Sequence, residues 1–204
     1  MHEFAIQPND CLRQSIRAFY HTEYTGYRSP GNPDYLNVLK NTYADAAETR
    51  LQGAVHKLKN VLQGDLPQIL QQVQHDPLTV CVVPRAKANL QENQLLFKIT
   101  VHDVVTRLPG FCDGTDYITR HTDTKTTHLG PTTPNYTNNG SGPYPGITTD
   151  TCTISNEVNG KDILLLDDIY TKTVNVDEDA LQALLDNGAC SIVFYAVGYT
   201  ARSV

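Results

Sequence analysis

Apolar residues fall in two rhythms along the chain. After a turn at Pro30 to Pro33, Asp34 suits a helix N-cap. Tyr35, Leu39, Tyr43, Ala47, Leu51, Val55, Leu58 and Leu62 then recur at steps of three or four. That spacing predicts a mostly continuous helix over 34–62 with one apolar stripe. A second short helix is expected from Leu66 to Val73, so residues 1–77 read as a helical N-terminal extension or hood.

The texture then changes. Leu78 to Pro84, LTVCVVP, is a β-branched run closed by proline and predicts a strand buried on both faces. NQLLFKITVHDVVTRL returns to helical spacing through Leu95, Leu96, Ile99, Val105 and Leu108. TDYITR reads as a short strand, DILLLDD as a second buried strand and CSIVFYAVG as a last one. DEDALQALLDNG is a helix with acids in its first turn, where the helix dipole favours them, and Gly188 as its stop. Strands alternating with helices predict an α/β core over 78–204, with a parallel sheet wrapped by helices.

Between Arg120 and Glu157 the chain is rich in Thr, Pro, Gly and Asn and shows little periodicity. A connection this long inside a compact domain points to function or disorder. The stretch 121–151 is expected to be a long flexible loop.

Composition narrows the field. The 204 residues suffice for one sizeable core with an elaboration, and a net charge of −6 argues against a general nucleic-acid binder. No apolar run is long enough for a membrane span. MHEFAIQPND shows no basic or apolar region of a secretory signal. The five cysteines, Cys11, Cys81, Cys112, Cys152 and Cys190, are scattered without a CxxC spacing, which fits a reduced, cytoplasmic setting.

The chemically suggestive stretch is KDILLLDDIYTKTVN, residues 161–175. Two adjacent acids, Asp167 and Asp168, close a run of four aliphatics, and a hydroxyl-rich turn follows. In open parallel sheets ligands sit at the carboxyl ends of the strands. The turn and the helix start offer unpaired backbone N–H groups that suit a phosphate. Carboxylates beside them suit hydroxyls or a hydrated cation, so a phosphorylated sugar meets both demands. The plainer alternative is that the two acids only solvate a strand end.

ILLLDDIYTKTVN resembles the phosphoribosyl-pyrophosphate (PRPP) motif of type I phosphoribosyltransferases, and the wider order is similar to ComF-type and amidophosphoribosyltransferase-like members. The supporting segments are CVVPRAKAN, NQLLFKITVHDVV and YITRHTDTKTTHL, in that order, and the likeness covers roughly residues 78–200. It implies a three-layer type I phosphoribosyltransferase-like fold and a PRPP-dependent pentosyltransferase that transfers phosphoribose to a nitrogenous acceptor with release of pyrophosphate. Asp167 and Asp168 would hold the ribose hydroxyls and border the metal, Mg²⁺. Thr171, Lys172, Thr173, Val174 and Asn175 would hold the 5′-phosphate. Arg85 and Lys87 would meet the pyrophosphate, joined by Arg120, Lys125 or His128 from the loop, which would act as a lid. The implied assembly is a homodimer. The family loop usually carries glycine and a small hydroxyl residue where this chain has Thr173 and Asn175.

Two other readings compete. One is a non-catalytic PRPP- or nucleotide-binding regulatory module, favoured by the missing loop glycine. The other is a docking protein that uses its long helix and acidic surface. The acceptor itself is not legible in the residues. Spacing of His121 and His128 gives no support for zinc.

Overall fold

The protein is described here by a computed structural model covering residues 1–127 and 136–200. His128 lies outside the described residues. Eight strands are present among the described residues. They are β1 (His2–Ile6), β2 (Ile16–Tyr24), β3 (Leu78–Val82), β4 (Phe111–Asp113), β5 (Ile118–Arg120), β6 (Cys152–Ile154), β7 (Asp162–Tyr170) and β8 (Ser191–Thr200). The helices are α1 (Tyr35–Lys40), α2 (Glu48–Val73), α3 (Leu96–Val105) and α4 (Val176–Asp186).

Six strands form one sheet in the order β1-β2-β8-β7-β3-β4, parallel throughout except for the antiparallel edge strand β1. The two apolar runs sit side by side at its centre, with Val80 opposite Leu164 and Val82 opposite Leu166. Their continuous hydrophobicity is what burial on both faces demands. On one face Leu164, Leu166, Val80 and Val82 pack against Leu58, Leu62 and Leu66 of α2 and Val101 and Val104 of α3. On the other, Ile163, Leu165 and Cys81 pack against Ala180, Leu181 and Leu184 of α4. The chain is thus an α/β protein with helices on both faces of a mostly parallel mixed sheet. Each leucine fully withdrawn from water stabilises it by about 1.5–3 kcal/mol.

The N-terminal third departs from the helix expected over 34–62. The helix ends at Lys40, where Asn41 takes a left-handed conformation with φ 36°, and it resumes only at Glu48. Tyr43 falls in the connection and is 48% exposed, so the apolar stripe runs across a break in the helix. Conversely, the separate short helix over 66–73 is the last part of α2, which passes through Pro67. Full burial of Leu62, Leu66 and Ile69 offsets the hydrogen bond that Pro67 cannot donate. Residues 2–24 form β1 and β2 rather than helix, and β2 lies inside the main sheet against β8.

Strands β5 and β6 pair antiparallel, with Arg120 opposite Cys152, and bracket the long connection. Strand β7 runs past both acids to Tyr170, so Asp167 and Asp168 lie within the strand rather than at its end.

Candidate functional site

From β3 the chain leaves through α3 to β4, on one side of the sheet centre. From β7 it leaves through α4 to β8, on the other side, and α3 and α4 cover opposite faces. Neighbouring parallel strands whose connections diverge in this way open a crevice at their carboxyl ends. A cleft of about 390 Å³ lies there, walled by the segment after β3, by Asp167 and Asp168, and by Thr124, Lys125 and Tyr136 from the long connection. A smaller cavity of about 250 Å³ adjoins it. Its walls include Leu39, Val82, Phe97 and Ile118, and it shares Lys40, Arg85, Arg120 and both acids with the cleft.

Successive side chains of a strand point to opposite faces, and this separates the acidic pair. Asp168 turns to the α1 side, where the Lys40 ammonium lies 2.8 Å from Oδ2 and 3.0 Å from Oδ1. Asp167 turns to the α4 side and accepts a hydrogen bond from Asp177, the second residue of that helix. Burial, with the Asp168 charge adding to it, pushes Asp167 up to about 7. Burial and the neighbouring Asp167 hold Asp177 well above the usual carboxylate range. The pair therefore keeps a proton near neutral pH. Burial alone would depress Lys40, but Asp168 and Asp167 outweigh it and keep the ammonium charged.

The cleft collects cations in a protein of net charge −6: Lys40, Arg85, Lys87, Arg120 and Lys125 line it beside Asp123, Asp167 and Asp168. Four of the five cations are engaged. Arg85 Nη1 donates to the carbonyls of Lys40 (2.5 Å) and Gln94 (2.7 Å). Arg120 donates to the carbonyls of Arg85 (2.6 Å) and Gly146 (3.0 Å). Lys87 Nζ donates to the Thr124 and Asn139 carbonyls at 3.1 and 2.6 Å. Lys125 is exposed and has no side-chain partner among the described residues. Arg85, Lys87 and Arg120 thus brace the walls of the cleft they line, and Lys125 stands free at its mouth.

The turn Thr171–Asn175 is tied down from outside the cleft. Thr171 Oγ1 lies 2.9 Å from Thr200 Oγ1, and Asn9 Nδ2 donates to Asn175 Oδ1 at 3.2 Å. Lys172 and Thr173 are exposed. Thr173 is not among the described non-glycine residues with positive φ, so the backbone of this turn does not itself require glycine there. Of this turn and the helix start, Val176 is the residue that reaches the cleft among the described residues. The structure brings Asp167, Asp168, Arg85, Lys87, Arg120 and Lys125 around one cavity and leaves Thr171, Lys172, Thr173, Val174 and Asn175 beside it.

The three acids opening α4 all have inward tasks. Asp179 accepts from the backbone N–H groups of Gly146 (2.5 Å) and Ile147 (2.7 Å), anchoring the return of the long connection. Glu178 accepts from the Tyr170 hydroxyl at 2.8 Å, and its pKa is raised by burial. Asp177 serves Asp167 and leaves its Oδ1 buried without a hydrogen-bond partner among the described residues. In the sequence these acids read only as complements to the helix dipole. Lys40 carried no signal, because its approach to Asp168 spans 128 residues.

No group of three or more His, Cys, Asp or Glu among the described residues is arranged to hold a metal. Two carboxylates are hard oxygen donors of the kind Mg²⁺ takes, too few for a freestanding site but enough for an ion that brings ligand oxygens and water. No helix among the described residues is long and apolar enough to cross a membrane. The chain matches no protein-family model, and no curated protein is significantly similar to it.

Proposed function

We propose that the cleft binds PRPP, and that the protein is a PRPP-dependent phosphoribosyltransferase of the type I kind acting on a nitrogenous acceptor. The observation that carries this reading is the pairing of an acidic couple on β7 with a cation-lined cleft at the switch point between β3 and β7. Asp167 and Asp168 accept hydrogen bonds from the ribose hydroxyls. Lys125 faces the pyrophosphate with a free ammonium that suits a polyanion, and Lys87, held by the Thr124 and Asn139 carbonyls, adds its charge from the wall. The 5′-phosphate sits toward the Thr171–Asn175 turn.

In the reaction the bond from the sugar anomeric carbon to the pyrophosphate oxygen breaks. A bond to the acceptor nitrogen forms, and the nitrogen gives up its proton. The work of the chain is to position the two partners and to neutralise the departing charge. Asp167 and Asp168 would help hold Mg²⁺, which would supply further charge neutralisation. Thr124, Lys125 and Tyr136 of the long connection, whose return is anchored by Asp179, would shield the reactive sugar from water.

A non-catalytic PRPP- or nucleotide-binding module is the second reading. Thr173 in place of the family's glycine favours it, as does the engagement of Arg85 and Lys87 with backbone carbonyls. A thermal-shift screen with PRPP, pyrophosphate and nucleoside monophosphates, each with and without Mg²⁺, tests the shared site. Stabilisation by PRPP–Mg²⁺ is expected, and no shift at millimolar ligand would contradict both readings. Pyrophosphate release in the presence of candidate nitrogenous acceptors then separates enzyme from sensor.

A further inference from the structure

Lys40 is the cation within ion-pair distance of Asp168 among the described residues, and its ammonium spans both carboxylate oxygens at 2.8 and 3.0 Å. Those are the oxygens a sugar diol would need. The residue is fixed at its backbone: Arg85 donates to its carbonyl, and Gln94 Nε2 donates to the carbonyls of Asn41 (3.1 Å) and Thr42 (3.2 Å). Its four-carbon stem remains rotatable, and the side chain borders both the cation-lined cleft and the adjoining cavity. An anchored base with a movable charge between two anion positions has the form of an exchange device.

We propose that Lys40 is a specificity-determining residue that makes sugar binding conditional on an anionic leaving group. In the free protein it closes Asp168. When a diphosphate enters the cleft, the ammonium moves to the more highly charged partner and opens the Asp168 carboxylate to the ribose hydroxyls. This rests on the phosphoribosyl reading of the site. Ribose 5-phosphate has no anion on its anomeric carbon, so it must compete with Lys40 for Asp168, whereas PRPP carries the group that draws Lys40 away. The exchange selects the activated sugar over the spent one, a discrimination that the acidic pair alone could not make.

The test is calorimetric titration of PRPP, pyrophosphate and ribose 5-phosphate, all with Mg²⁺ at one pH and salt concentration, into wild type, Lys40→Met and Lys40→Arg. Lys40→Met should weaken pyrophosphate binding roughly tenfold while ribose 5-phosphate binds as well or better, so the preference for PRPP falls by at least about tenfold. Lys40→Arg should keep that preference. Opposite movements of two ligands cannot come from loss of fold. Asp168→Asn, titrated with pyrophosphate in the absence of Mg²⁺, supplies an independent arm: with its internal partner gone, Lys40 is released and pyrophosphate should bind more tightly. Preserved preference in Lys40→Met, or weaker pyrophosphate binding in Asp168→Asn, would overturn the role of Lys40 while leaving PRPP binding by wild type intact. Failure of wild type to bind PRPP would overturn the phosphoribosyl reading itself, and this inference with it.

Discussion

Asp177→Asn probes the proton held at the centre of the site. In the folded protein burial, then Asp168, push Asp167 up to about 7, and Asp177 stands well above its ordinary value. In the unfolded chain both titrate near about 3.9. Folded values raised in this way confer stability that is complete below the unfolded pKa and lost as pH rises through the folded values. Each proton that the folded state alone retains changes stability by about 1.4 kcal/mol per pH unit. Asparagine keeps a donor facing Asp167 but removes one such proton. As pH rises from the unfolded value towards the folded ones, the wild type should therefore lose stability relative to the variant, by at most about 1.4 kcal/mol per pH unit. For a chain of this size each kcal/mol of that difference separates the melting temperatures by about 2–4 °C. Urea or thermal unfolding of both proteins across that window is the assay. Parallel curves would refute a shared proton between Asp167 and Asp177.

Two further outcomes follow from the packing and from the phosphate turn. Leu51→Ala, at a site on α2 that is 1% exposed, should lower stability by about 2–5 kcal/mol in urea unfolding, and an unchanged midpoint would contradict its place in the core. Thr173→Gly should tighten ribose 5-phosphate binding by letting the backbone of the turn approach the phosphate more closely, at a small loss of stability. Weaker binding in calorimetry would show that Thr173 does not obstruct that turn.

The sequence was most legible where one physical demand dominated. The runs Leu78–Val83, apolar but for Thr79, and Ile163–Leu166 are almost wholly apolar because both faces of the sheet are covered, and they became neighbouring parallel strands. The helix of 34–62 was overdrawn because spacing reports which residues face the core but not whether the backbone between them stays helical. The stripe survives the break at Asn41 because α1 and α2 both cover the same face. Strand β2 was missed: its inward residues Ile16, Ala18 and Phe19 are followed by His21, Thr22 and Glu23, which blunt the alternation. At the site, Asp167, Asp168 and the cations after β3 were readable because they adjoin an apolar strand. Their partners Lys40 and Asp177 come from α1 and α4 and meet them only through the fold.

The central claim is that Asp167 and Asp168 are placed for a ribose diol in a cleft that takes PRPP. The most direct measurement is calorimetric titration of PRPP–Mg²⁺ into wild type and the Asp167→Asn/Asp168→Asn double variant. Asparagine keeps the shape of each side chain but removes its charge and part of its accepting capacity, and a charge-assisted hydrogen bond contributes about 1.5–3 kcal/mol. The account predicts measurable binding to wild type and a loss of roughly ten- to a hundredfold or more in the variant, with the fold retained. Equal affinity in the two proteins, or no binding to wild type at millimolar ligand, would contradict it.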